Sequence, residues 1–236
     1  MNWRTYFEQN QLSHRPIPWT GGIEVAPHLR APLIRSLQRF QIGETGEGHH
    51  LQAGAAALGD ADYAATIALF IAEEHEHARL LERILDKLEA PLLKSHWSDG
   101  VFMLVRHLMG LKLELVVLLS AEMVAKRYYR ALYEGTHDPV LRAIFAQICD
   151  DEEGHIAFHC DFLGRAWAEQ APLNRWLICN SWQLFFWMVV LVVTCDHARL
   201  LQAVKVTPIG FLHDCRQIFK QTMARIFAAN KQVAIA

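Results

Sequence analysis

The chain has 236 residues, 52% of them apolar and 20% charged, so it can bury one sizeable core and is too apolar for a disordered protein. Its net charge of −2, with 13 histidines counted as neutral, gives no basic footprint for nucleic acid. The five cysteines (Cys149, Cys160, Cys179, Cys195, Cys215) form no Cys-x-x-Cys pair, which argues against a zinc ribbon or a rubredoxin-type iron site and suits a reducing, cytoplasmic setting.

Residues 1–31 read as an irregular N-terminal arm. They contain Arg15-Pro16-Ile17-Pro18-Trp19 and Gly21-Gly22, and no apolar run of the kind that makes a secretory signal. Trp3, Phe7 and Trp19 need burial, so the arm is expected to lie over the domain. No segment shows a strand pattern. The spacing predicts helix A from near Pro32 to Gly59, with a stripe through Leu33, Leu37, Phe40, Glu44, Glu47 and Leu51. Helix B follows a cap at Asp60 or Asp62, carries Phe70, Glu74, His77 and Leu81 on one face, and stops before Pro91. Helix C runs from about Ser98-Asp99 to Gly135, with Leu115, Leu118, Glu122, Ala125 and Tyr129 in line. Helix D takes Asp138 as cap and Pro139 as its first residue, and aligns Phe145, Ile148, Glu152, His155 and His159. Residues 32–170 therefore read as one all-α, four-helix bundle, because every stripe alternates steps of four and three.

Residues 171–236 add C-terminal helices, one over Leu173–Ala203 and one from Thr207-Pro208 to about Ala229. The apolar run 176–195 is interrupted by Asn180, Ser181 and Gln183. It is expected to pack on the bundle or in a homodimer interface, not to anchor in a membrane.

Each stripe is broken midway by acid or imidazole. Glu74 with His77, and Glu152 with His155, are Glu-x-x-His pairs, and residues three apart share a helix face. Another Glu lies 30 residues before each pair, Glu44 and Glu122. A buried lone carboxylate costs roughly several kcal/mol even after relaxation, and four at one level would repel one another. Two divalent cations would balance their charge. Four Glu and two His aimed at one interior point make the ligand set of a dinuclear metal centre. Either pair alone could be a surface feature; both together, on apolar stripes with matched upstream Glu, favour metal.

Other residues admit two readings. Glu47 competes with Glu44 as the helix A ligand or adds a fifth carboxylate. Glu47-Gly48-His49-His50 forms a third Glu-x-x-His, making His50 a further ligand candidate. His159 reads as a pocket or supporting group, and Tyr129 as core or as a hydroxyl beside the site. Glu114, two turns before Glu122, reads as solvated or hydrogen-bonded as readily as functional. Gly43, Gly46, Gly48 and Gly54 suit either close helix packing or a cavity for substrate or oxygen beside Glu44.

These residues resemble the ferritin-like di-iron carboxylate superfamily over about residues 32–170, and the stretches around Glu122 and Asp151–His155 are similar to those of bacterial di-iron oxygenases that act on aldehydes. The resemblance implies a ferritin-like bundle with a long crossover between helices B and C. It implies two iron ions, or manganese or a mixed pair, held by Glu44, Glu74, His77, Glu122, Glu152 and His155. It also implies that Glu73 and Asp151 each hold the opposite site's imidazole. The activity it points to is oxidation by dioxygen or peroxide of a small or apolar substrate, with an external electron donor. A ferroxidase or other iron-handling protein, or a non-catalytic metal-binding protein, is the alternative.

Overall fold

The computed structural model describes residues 1–46, 48–94, 110–168 and 170–233, with side chains up to residue 227. Among the described residues the regular structure is entirely helical. The helices are α1 (Trp3–Ser13), α2 (Pro27–Glu44), α3 (His49–Ala56), α4 (Ala61–Lys87), α5 (Gly110–Gly135), α6 (Pro139–Ala166), α7 (Pro172–Asp196), α8 (Ala198–Ala203) and α9 (Pro208–Val233), with a 3-10 turn at Trp19–Gly21.

Local chemistry sets the starts. Asp60 caps α4, its side chain accepting from the backbone N–H groups of Asp62 and Tyr63, and Gly59 before it takes a positive φ of 74° to end the preceding turn. Asp138 caps α6 by accepting from Leu141 N–H at 2.9 Å, while its second oxygen accepts from Glu24 N–H and so ties the arm to this corner. Pro27, Pro139, Pro172 and Pro208 open their helices, where a missing N–H costs nothing. The bundle consists of α2 along α4 and α5 along α6, with α4 meeting α6. Leu33, Leu37, Ile67, Leu81, Leu115, Leu119, Phe145 and Ile148 fill its centre with essentially no exposure.

The arm differs from the irregular segment expected. Its first part is a helix, α1, capped by Asn2, whose side chain accepts from Thr5 N–H. Trp3 and Phe7 are buried, and the helix packs on α4. Helix A is also not continuous. It starts at Pro27, tolerates Pro32 within its second turn, and stops at Glu44. Gly48 has a left-handed φ of 68°, which no right-handed helix can pass through, and α3 restarts at His49. A run of glycines there lowers the cost of the break, since each would weaken a continuous helix by about 1 kcal/mol. Glu47 lies outside the described residues, as do the expected start of helix C at Ser98-Asp99 and residues 95–97 of the connection before it.

The helix expected over Leu173–Ala203 is divided at His197, whose Nδ1 lies 2.5 Å from Ser36 Oγ on α2. One face of α7 packs inward through Trp182, Phe186, Val190 and Thr194, spaced four apart, and Trp182 Nε1 donates to Ser120 Oγ on α5 at 2.8 Å. The opposite face carries Leu173, Trp176, Leu177, Leu184, Met188 and Leu191, all exposed.

Candidate metal centre

The two Glu-x-x-His pairs face one another across α4 and α6. Donor atoms of Glu44, Glu74 and His77 lie within 4.8 Å of one another, and so do those of Glu74, Glu152 and His155. Glu74 belongs to both groups, so the two clusters share a corner. His155 Nδ1 is 2.9 Å from Glu74 Oε1 and 3.7 Å from Glu152 Oε2. Glu44 is placed at this level by the last turn of α2, and Tyr129 of α5 donates its hydroxyl to Glu44 Oε1 at 2.9 Å. Glu122 of α5 is buried and borders the same space, but it stands outside both clusters. Its Oε1 is 2.9 Å from Nε2 of His159, one turn beyond His155 on α6.

Both histidines are held from behind. His155 Nε2 pairs with Glu73 Oε2 at 3.0 Å, and His77 Nε2 pairs with Asp151 Oδ2 at 3.1 Å. The brace is crossed: the acid on α4 holds the imidazole on α6, and the acid on α6 holds the imidazole on α4. A carboxylate at Nε2 keeps the proton there and leaves Nδ1 as the acceptor that can bind a cation. Both Nδ1 atoms point into the site.

Sequence reasoning missed the third layer of this arrangement. Asn10 of α1 donates from one amide nitrogen to Glu73 Oε1 at 3.0 Å and to Asp151 Oδ1 at 2.6 Å. His14 Nε2 reaches the same Asp151 oxygen at 2.9 Å. Trp3, Phe7, Asn10 and His14 sit at steps of four, three and four, so one face of α1 carries both the aromatic seal and the polar contacts. That spacing was the available signal. Gly154 lets α1 come this close: a Cβ there would stand 2.3 Å from the Tyr6 hydroxyl.

The electrostatics describe a site with too much negative charge for its own protons. Burial, and then repulsion from Glu74, pushes the Glu44 carboxyl well above its usual range. Burial drives Glu152 up to about 7 despite the hydrogen bond from His155. Burial also works against charge on His155, yet bonds to Glu152, Glu73 and Glu74 raise it well above an ordinary imidazole. At His77 burial is likewise overcome, chiefly by the bond to Asp151, and its pKa rises. At Glu74 burial is outweighed by the bond and charge of His155 and by His77, which hold it down at about 2. Protons crowd here because the geometry demands positive charge.

A divalent metal pair fits these residues on two grounds. Buried polar atoms normally find hydrogen-bond partners, yet His77 Nδ1 and Glu122 Oε2 have none, and the inward atoms of Glu74, Glu152 and His155 face one another around the same point. The donor set of carboxylate oxygens and imidazole nitrogens suits iron or manganese. The further ligand expected at His50 is not in either cluster. The break in helix A takes it off the stripe, and its Nδ1 pairs with buried Glu114 Oε2 at 2.7 Å.

A cavity of about 470 Å³ opens directly onto these carboxylates. Glu44, Glu74, Glu122 and Glu152 form its polar end. Phe40, Leu118, Val124, Val189 and Val193 are among its apolar walls, drawn from α2, α5 and α7. The glycines of helix A divide between a cavity wall and close packing. Gly43 and Gly46 border the cavity, and a Cβ on Gly43 would meet nothing within 4 Å. Gly48 is needed for close packing, since a Cβ would meet Ile71 at 2.7 Å.

No known sequence family and no curated protein matches the chain. Among solved structures it is similar to protein 19 with aldehyde deformylating oxidase activity from Synechococcus, with a TM-score of 0.62 at 15% identity over 89% of this chain and 97% of that one. At that identity the likeness shows the fold. The chain is all-α, a ferritin-like bundle carrying additional C-terminal helices.

Proposed function

We propose that this chain is a non-haem di-iron oxidoreductase that uses dioxygen or peroxide to oxidise an apolar substrate, and that the substrate carries an aldehyde. The observation that carries the reading is the pair of carboxylate and imidazole donor clusters that share Glu74, next to an apolar cavity. The aldehyde comes from the activity printed for the structural relative and from the sequence resemblance around Glu122 and Asp151.

Glu44, Glu74, Glu122, Glu152, His77 and His155 would hold the two ions, with manganese or a mixed pair as the alternative filling. When bound, the pair supplies reversible one-electron chemistry and Lewis acidity next to the cavity. The remaining work belongs to the protein. Glu73 and Asp151 fix both imidazoles in orientation and tautomer. The Tyr129 hydroxyl keeps a proton at Glu44 Oε1. Phe70 stands edge-on to His155 and His159, at 4.7 and 5.0 Å between ring centres, and excludes water from the histidine side. The apolar walls orient a hydrocarbon tail so that the polar head meets the carboxylates, and they keep the reacting end dry.

The test is anaerobic loading with ferrous iron, followed by dioxygen, an external reductant and a series of straight-chain aldehydes. Aldehyde consumption that depends on both metal and oxygen, and improves with chain length, is expected. Oxygen uptake that only oxidises iron, with iron accumulating far beyond the site, would favour the ferroxidase reading. Bound metal with no oxygen uptake would leave a binding protein.

A further inference from the structure

Among the described residues nothing covers the outer face of α7, and two residues of that face also line the cavity. Met188 and Val192 line the cavity and are 52% and 37% exposed. Around them Leu184 and Leu191 are 67% and 51% exposed, Trp176 is 61% exposed, and Ile209 of neighbouring α9 is 80% exposed. α7 has the length and hydropathy of a membrane-crossing helix, with only 22% of its most apolar window buried. It does not stand free, however, because Trp182, Phe186, Val190 and Thr194 are packed into the protein. A helix held along one side presents its other side flat.

Charge indicates what covers that face. Residues 172–236 hold seven Lys or Arg against two acids, Asp196 and Asp214, although the whole chain is net −2. Both acids are engaged by bundle arginines, Asp196 with Arg39 at 3.3 Å and Asp214 with Arg127 at 2.7 Å. Arg199, Lys205, Arg216 and Lys220 are exposed. Ile209, Leu212, His213 and Arg216 meet Gln183 and Trp187 in a shallow groove between α9 and α7, and Lys220 follows Arg216 by one turn on the same side. A second copy seated here would bring like charges together. An amphipathic surface with aromatic and aliphatic side chains beside basic ones suits the headgroup and acyl boundary of an anionic bilayer.

We infer that the α7–α9 face docks peripherally on an anionic lipid surface, with Met188 and Val192, which line the cavity, turned toward the lipid. This departs from the sequence expectation that the 176–195 segment avoids membrane. The docking stands apart from the metal chemistry; only delivery of an apolar substrate from the lipid phase rests on the proposed function.

The experiment is flotation of the full chain with phosphatidylcholine vesicles, with and without about one third phosphatidylglycerol, at low and high salt. Binding to anionic vesicles that weakens with salt is expected. Leu184→Glu with Leu191→Glu changes exposed residues outside the cavity lining and should abolish flotation while leaving circular dichroism and metal content unchanged. Arg216→Glu with Lys220→Glu should weaken binding to anionic vesicles by at least about tenfold, since each basic residue near such a surface contributes about 1 kcal/mol. Wild-type protein that fails to float, or floats equally with the double glutamates, would overturn the inference. So would a dimer, measured by light scattering, that the Leu184→Glu and Leu191→Glu changes dissociate while no vesicle binding occurs. Vesicle binding without aldehyde oxidation would sustain the docking and remove the proposed reaction.

Discussion

The two sides of the metal centre are built on opposite principles. On the α1 side, polar groups are tied together in sequence: His77 to Asp151, Asp151 to Asn10, Asn10 to Glu73, and Glu73 to His155. On the α7 side, the carboxylates meet an apolar cavity with few polar partners. One side fixes the ligands and the other leaves room for whatever reacts. A site with hydrogen bonds on both sides would hold its protons and admit no substrate. A site with apolar walls on both sides would leave the imidazoles unoriented and the charges uncompensated.

The largest effect is expected where the two clusters meet. Glu74 contributes to both, so Glu74→Ala should lower bound iron to less than one ion per chain, read by metal analysis after anaerobic loading. Undiminished loading would remove Glu74 from its shared position. Next in size, Asp151→Asn should weaken metal affinity by about ten- to a hundredfold, because the His77 ring loses its anionic partner while the fold persists. Asn10→Leu should reach the lower end of that range and weaken both ions together, since one amide serves both braces. A loss confined to one ion would show that α1 acts on a single side.

The cavity side should respond differently. Ala121→Phe places a ring in the space next to Glu122. It should leave metal affinity unchanged and weaken binding of an alkyl ligand by about tenfold, the equivalent of roughly two methylenes denied burial. Competition with a fluorescent fatty ligand would measure it, and a parallel loss of metal would erase the distinction between the sides. pH offers a further test. Glu44, Glu152, His77 and His155 all have raised pKa values, with Glu152 up to about 7, so they carry protons that an incoming cation must displace. Apparent metal affinity should therefore rise with pH and fall as pH drops through about 7, with protons released on binding. Calorimetry in two buffers of different ionisation enthalpy would count them. The last effect is structural. Gly154→Ala forces Tyr6 away and should cost about 1–3 kcal/mol of stability, with α1 loosened before the bundle.

What the sequence revealed follows from distance along the chain. The Glu-x-x-His pairs, the apolar stripes that carry Glu44 and Glu122, and the caps at Asp60 and Asp138 each depend on residues a few positions apart on one helix, and periodicity exposes them. The break at Gly48 was hidden because the alternating stripe continues through it, while the backbone turns left-handed. α1 was hidden because Arg15-Pro16 and Gly21-Gly22 gave the arm an irregular look, although the first 14 residues carry a helical face of their own. The pairing of Glu122 with His159, and of Asn10 with two acids far along the chain, could not be read at all. Such contacts are decided by how helices are set against each other, and no local pattern encodes that.

Ferrous titration of the anaerobic protein, followed by Mössbauer spectroscopy after oxygen is added, tests the central claim most directly. Two ions per chain that become one magnetically coupled pair are expected, since the clusters share Glu74. A single ion per chain, or two that remain magnetically independent, would contradict it.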